Sequence, residues 1–170
     1  MGEQARYPVP ADFVRVEDVI SRSRFITTLV MADTRESALS FVDAVKDEFS
    51  DATHNCWAYL VGPPGTMGCV GVSDDGEPHG TAGKPMLNVL LHSGLGDVAV
   101  VVTRYYGGTK LGRGGLVRAY SGGVKRAVEQ CERAQKVAWV RAVLTLDYTY
   151  GAPLKQVYPC LLYTSDAADE

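Results

Sequence analysis

The chain has 170 residues, 46% hydrophobic and 22% charged, with a formal net charge of −3. That length suits one domain with a full core, or one domain plus a fragment of another. No apolar run is long enough to cross a bilayer, and MGEQARYPVP has no apolar core behind a basic start, so a non-membrane, cytoplasmic protein without a signal peptide is expected.

Residues 1–12 are polar and Pro-bearing, and 1–14 read as a loose lead-in. From Ile20 to Met31 the run is rich in β-branched and aromatic residues, which predicts a strand. Asp33 with Glu36 resembles a capping box. Ala38, Phe41, Val42, Val45 and Phe49 then recur at helical spacing, predicting a helix near 35–49. NCWAYLV (55–61) and GCVGVS (68–73) read as two strands joined by the GPPGT turn, hence a hairpin.

SDDGEPHGTAGKP is a polar loop of a length often tied to function. Met86 to Leu91 is almost continuously apolar and predicts a buried helix, with Pro85 in its first turn and Gly94 closing it. VAVVVT (98–103) is apolar on both faces and predicts a central strand. A helix follows from about Gly115 to Arg133, with Leu116, Tyr120, Val124, Ala127 and Cys131 inward. Its Gly122-Gly123 pair predicts a close packing partner. Val137 to Tyr148 alternates like one more strand, opening a new unit. The expected class is α/β (α+β), with a β-α-β-β-α-β-α domain over residues 15–135.

The last residues, CLLYTSDAADE (160–170), read as the conceptual translation of a transposon-based sequencing adapter and are set aside. The four cysteines form no CxxC pair and, with three scattered histidines, no zinc site, so no metal or other cofactor is expected.

Charge is unevenly spread. Residues 1–100 hold seven Lys/Arg and fourteen Asp/Glu, whereas residues 104–133 hold seven basic and two acidic residues. A polyanion can therefore bind the second segment of an acidic chain. Within it, RYYGGTKLGRGGLVRAY (104–120) carries Gly107, Gly108, Gly112, Gly114 and Gly115 with Arg104, Lys110, Arg113 and Arg118. A glycine loop entering a helix turns N–H groups toward one point, and the helix dipole adds positive potential. The run is neither a Walker loop nor GxGxxG. Two readings stand open: an anion nest, or glycines that serve tight turns only.

Asp74, Asp75 and Glu77 are candidates for holding a hard cation or for acid–base work, against simple turn chemistry with Thr81 as helix cap. Lys84 sits at the start of the next helix as a second candidate anion contact. His54 and Cys56 suggest a thiol nucleophile only weakly, since no orienting group is evident. His54 and Asn55 are better read as structural or partner contacts. Tyr105 and Tyr106, with Arg22 and Arg24, offer base-stacking chemistry. For Tyr106 a core position is the reading taken.

THNCWAY (53–59), SDDGEPHGTAGKPML (73–87), VVVTRYYGG (100–108) and KLGRGGLVRAY (110–120), in this order and with SRSRFI (21–26), resemble the IMPACT/YigZ family from about residue 15 to 135. His79 stands where that family usually has a small residue, and Tyr106 where it has Phe. The resemblance implies a ribosomal-protein-type domain, a fold class shared with the GHMP small-molecule kinases and carrying a left-handed βαβ crossover. It also implies a second, ferredoxin-like domain, of which residues 136–159 would be the truncated start.

Eukaryotic relatives regulate translation by competing for the activator of an initiation-factor kinase, using a further N-terminal domain not matched here. A proline-dipeptidase label carried by some relatives finds no metal-ligand set in this sequence. Three functions follow as expectations. The first is a non-enzymatic module binding RNA, the ribosome or a translation factor through the basic loop. The second is a GHMP-like enzyme with phosphates on the glycines and Asp74 or Asp75 on a metal. The third is a purely protein-binding regulator acting through the acidic loop.

Overall fold

The computed structural model describes residues 6–137. In chain order these form β1 (Arg6–Pro10), β2 (Val14–Ile20), β3 (Ser23–Met31), α1 (Arg35–Glu48), β4 (His54–Val61), β5 (Cys69–Ser73), α2 (Gly83–His92), β6 (Val98–Tyr105), α3 (Gly112–Gln130) and β7 (Arg133–Val137). Five strands make one sheet in the order β2-β3-β6-β4-β5, every neighbouring pair antiparallel. β1 and β7 make a separate two-stranded antiparallel ribbon.

The central strand was legible because both its faces are covered. Val98, Val100 and Val102 enter the main core with Leu116, Tyr120 and Val124 of α3 and Met86 and Leu90 of α2. Ala99 and Val101 point the other way, into the clusters of Ala38, Val42 and Val45 on α1. A sheet thus lies between α2/α3 and α1. Alternation in β6 separates the two layers.

Several expectations are corrected. Residues 6–10, read as loose, form β1, whose Pro8 and Pro10 are tolerated because the ribbon is narrow and edge-like. β2 was missed altogether. It joins β3 through Ser21 and Arg22, at φ 47° and 65°. Both residues are left-handed, as a tight two-residue hairpin demands, yet neither is the glycine or asparagine that signals one.

The capping box of α1 lies one residue later than Asp33/Glu36. Thr34 Oγ1 accepts the Ser37 N–H at 3.0 Å, and Ser37 Oγ accepts the Thr34 N–H at 3.1 Å. Of the Gly122-Gly123 pair, Gly123 alone has the close partner, since a Cβ there would strike Thr27 Oγ1.

Asp97, 1% exposed, holds the ribbon to the domain. Its carboxylate accepts from Tyr7 Oη at 2.8 Å, Lys136 Nζ at 2.6 Å and the Gly62 N–H at 2.7 Å. The expected strand at 137–148, the ferredoxin-like start and the 160–170 tail lie outside the described residues, except that Lys136 and Val137 fall in β7.

Candidate functional site

The acidic loop between β5 and α2 is not an open cluster of carboxylates. Asp74 Oδ1 accepts the N–H groups of Ala82 and Gly83 at 3.0 and 2.8 Å, and Oδ2 accepts that of Gly80 at 2.7 Å. Asp74 therefore caps α2 from eight residues upstream. The N-cap residue itself, Ala82, has no capping side chain.

Thr81, expected as the cap, is 1% exposed and donates to the Pro78 carbonyl instead. Burial alone would raise the Asp74 pKa. The three N–H bonds, with His79 nearby, outweigh it and hold the carboxyl below its ordinary range.

Because the folded value is lowered, the stabilisation is fully present above the ordinary Asp range, near pH 4. It is lost as pH falls through the lowered value. Asp74→Ala is expected to cost about 3 kcal/mol, since three N–H groups lose a charged acceptor. It should also flatten the acid limb of a urea-denaturation series taken from pH 6 to 2. An unchanged limb would remove Asp74 as the source.

The motif around Cys56 grips this same loop. His54 Nδ1 lies 2.8 Å from the Asp75 carbonyl, and the Asn55 N–H donates to Asp75 Oδ2 at 2.7 Å. Cys56 Sγ donates to the Asp74 carbonyl at 2.9 Å. Lys46 pairs with Asp75 at 3.1 Å. The Asn55 side chain points to the other face, bonded to Thr103 Oγ1 at 2.7 Å and to the Phe49 carbonyl at 3.3 Å.

Burial pushes the Cys56 thiol up to about 12, the reverse of an activated nucleophile. His54, Asn55, Asp74, Asp75 and Thr81 are thus joined by internal hydrogen bonds, as the structural reading of His54 and Asn55 and the turn reading of the acidic loop expect. Neither Asp74 nor Asp75 is free to hold a metal ion. Among the described residues, no three His, Cys, Asp or Glu side chains are placed to bind one.

Glu77 and Arg104 are the largest correction. Both side chains are buried, 3% and 6% exposed, and form an ion pair at 2.6 Å. Tyr120 Oη donates to the same Glu77 oxygen at 2.8 Å. Burial, with Cys56 and Glu77 beside it, drives the Tyr120 phenol far up, so it stays a proton donor. Arg104 also donates to Ser23 Oγ at 3.3 Å, and its guanidinium lies between the rings of Phe25 and Tyr106, 5.4 Å from each. Arg104 was placed on an anion groove by its charge. It stands instead inside the domain, neutralised by Glu77.

Lys110, Arg113 and Arg118 are exposed, and none forms an ion pair with a carboxylate among the described residues. Lys110 and Arg118 line a shallow open pocket of about 290 Å³ with Ile20, Ser21, Leu111, Gly115 and Ala119. Arg113 reaches the His79 carbonyl at 2.9 Å, tying the start of α3 to the acidic loop. Lys84 stands exposed in the first turn of α2. The N-cap of α3, Leu111, supplies no side-chain bond, and the first turn has no acidic residue. Its leading N–H groups therefore have neither a capping side chain nor an acidic residue in the first turn beside them.

The glycines divide by role. Gly108 and Gly112 sit at φ 83° and 72°, where glycine is favoured. Gly107 leans on the β2–β3 turn so closely that a Cβ would collide with the Arg22 carbonyl. Gly115 packs against Leu111, and a Cβ there would stand 2.9 Å from the leucine Cβ. Gly114 has open space around it and no positive φ, so nothing in the fold requires glycine there. Tyr106, read as core, is 46% exposed. Ser23 carries no signal in the sequence, yet its Oγ accepts from both Arg104 and the Gly107 N–H, the latter at 3.2 Å. Only the hairpin pairing of β2 and β3 brings it there.

The sequence profile of the Impact N-terminal domain matches residues 21–128. The chain is 48% identical over 140 residues to the IMPACT family member YigZ of Escherichia coli (strain K12), covering 82% of this chain and 69% of that one. It is also 48% identical over 147 residues to an IMPACT family member of Haemophilus influenzae, covering 86% and 70%. Among solved structures it resembles one described as the crystal structure of an hypothetical protein, with TM-score 0.76 and 49% identity, over 78% of this chain. It spans 64% of that solved chain. The interlocking motifs around Glu77 and the matched profile occupy the same stretch, and the chain belongs to the Impact N-terminal domain family.

Proposed function

We propose that this chain is a non-enzymatic binding protein that acts on translation by holding RNA phosphates at the start of α3. One observation carries the reading: Lys110, Arg113 and Arg118 are exposed without carboxylate partners beside an uncapped helix N-terminus. The acidic loop, by contrast, is consumed internally. Gly114 supports it, because a glycine that the fold does not need permits close approach of a ligand to the backbone. The translation link comes from the eukaryotic relatives that the motifs resemble. Against a phosphoryl-transfer enzyme stands the engagement of both Asp74 and Asp75 by backbone donors and Lys46. Against an acidic docking loop stands the burial of Glu77.

The test is binding of a structured RNA across a salt series. Affinity should fall steeply with salt, and Lys110→Ala with Arg113→Ala should weaken binding and reduce the log–log slope by about 2. A salt-independent affinity, or a double variant that binds like the parent, would overturn the reading.

A further inference from the structure

The two adjacent tyrosines at the end of β6 face opposite ways. Tyr105 points to the α1 side, where its hydroxyl donates to Asp51 at 2.7 Å and Arg24 lies 5.7 Å from its ring. Tyr106 lies on the α2/α3 side, over Arg104, and leads directly into the basic loop. Its backbone is pinned by an N–H bond to Thr53 Oγ1 at 3.0 Å. The guanidinium beneath its ring is itself fixed by Glu77, Ser23 and Phe25. The ring is nevertheless 46% exposed. A large aromatic ring held from one side and open to water on the other is pre-organised for stacking, so little freedom is lost when a flat partner arrives.

Its neighbours favour a polyanion. Arg22, exposed at the β2–β3 turn, lies against Gly107, next in sequence to Tyr106, and Lys110 follows four residues on. A flat π-face beside unpaired cations is the chemistry of single-stranded nucleic acid binding, where bases stack on aromatics and the backbone follows positive charge. A duplex offers the same phosphates but keeps its base faces covered.

We propose that Tyr106 is a stacking platform for an unpaired base of a single-stranded RNA whose phosphates lie on Lys110, Arg113 and Arg118. This inference rests on the RNA-binding reading above. It names the substrate class as single-stranded.

The experiment measures fluorescence anisotropy of the full chain with an unstructured oligopyrimidine RNA and with a fully paired RNA duplex of equal length. Tyr106→Ala should weaken single-strand binding about tenfold, while Tyr106→Phe, which keeps the ring, stays within about twofold of the parent. Neither should alter duplex binding, and Lys110→Ala with Arg113→Ala should weaken both. If Tyr106→Ala leaves the single strand unaffected, or weakens both RNAs equally, the platform is overturned and the phosphate reading stands. If the chain binds the duplex alone, the platform is likewise overturned. If the lysine–arginine double variant has no effect, or neither RNA binds, both fall together. Matching thermal unfolding of the phenylalanine variant and parent keeps the comparison valid should the alanine variant be unstable.

Discussion

Glu77→Ala is expected to destabilise the domain by about 3–5 kcal/mol, a large share of a small domain's total stability. The reason is asymmetric. The substitution removes a carboxylate that lies 2.6 Å from Arg104 and accepts the Tyr120 hydroxyl, and it leaves a guanidinium only 6% exposed with no counter-ion. Arg104 cannot swing to water without dragging its layer between Phe25 and Tyr106.

Removing both charges tells the two terms apart. Glu77→Ala with Arg104→Met should cost clearly less than the sum of the single changes, since the buried unpaired charge is gone. Equilibrium urea denaturation of the four proteins measures the coupling directly. A loss below about 1 kcal/mol for Glu77→Ala would show that Arg104 is satisfied without it.

Gly107→Ala is the second severe change, for a steric reason. A methyl group at residue 107 meets the Arg22 carbonyl and the Ser23 nitrogen, both backbone atoms, so no side chain can give way. The loop or the β2–β3 turn must move, and Ser23 then loses its hydrogen bonds to Gly107 and Arg104. A loss of about 3 kcal/mol or more is expected. Gly114→Ala, in the first turn of α3 and in open space, should be neutral or slightly stabilising. Thermal unfolding of the two variants side by side distinguishes them. Similar melting temperatures would mean that the loop and turn are not in firm contact.

Much of this fold was readable because its signals are local. The two-faced apolar run at 98–103 marks the middle strand, and the helical spacing of Ala38, Val42 and Val45 marks α1. What escaped notice depends on distance. β1 is a strand only because residues 133–137 lie beside it, and its prolines argue for a loop when read alone. β2 was lost because the Ser21-Arg22 turn has no turn-forming residues.

At the site, charge alone groups Arg104 with Lys110, Arg113 and Arg118, although the last three are exposed and Arg104 is buried. Sequence shows that an arginine is charged, not whether a glutamate 27 residues earlier neutralises it. The same blindness left a cation site open at Asp74 and Asp75, whose partners are backbone N–H groups and, for Asp75, the distant Lys46, none of which a sequence pattern displays.

The strand order β2-β3-β6-β4-β5 also governs when the sheet can exist. β2 with β3 and β4 with β5 are neighbours in the chain and need only short loops to meet. β6 is made after all four and lies between them. Until residue 105 has been synthesised, the two hairpins have nothing to join them, and the inner edges of β3 and β4 are unpaired. The strand that fills this gap is followed at once by the basic loop. A chain emerging from its own synthesis therefore acquires a continuous five-stranded sheet and its candidate RNA-holding surface in the same late interval, and before then has neither.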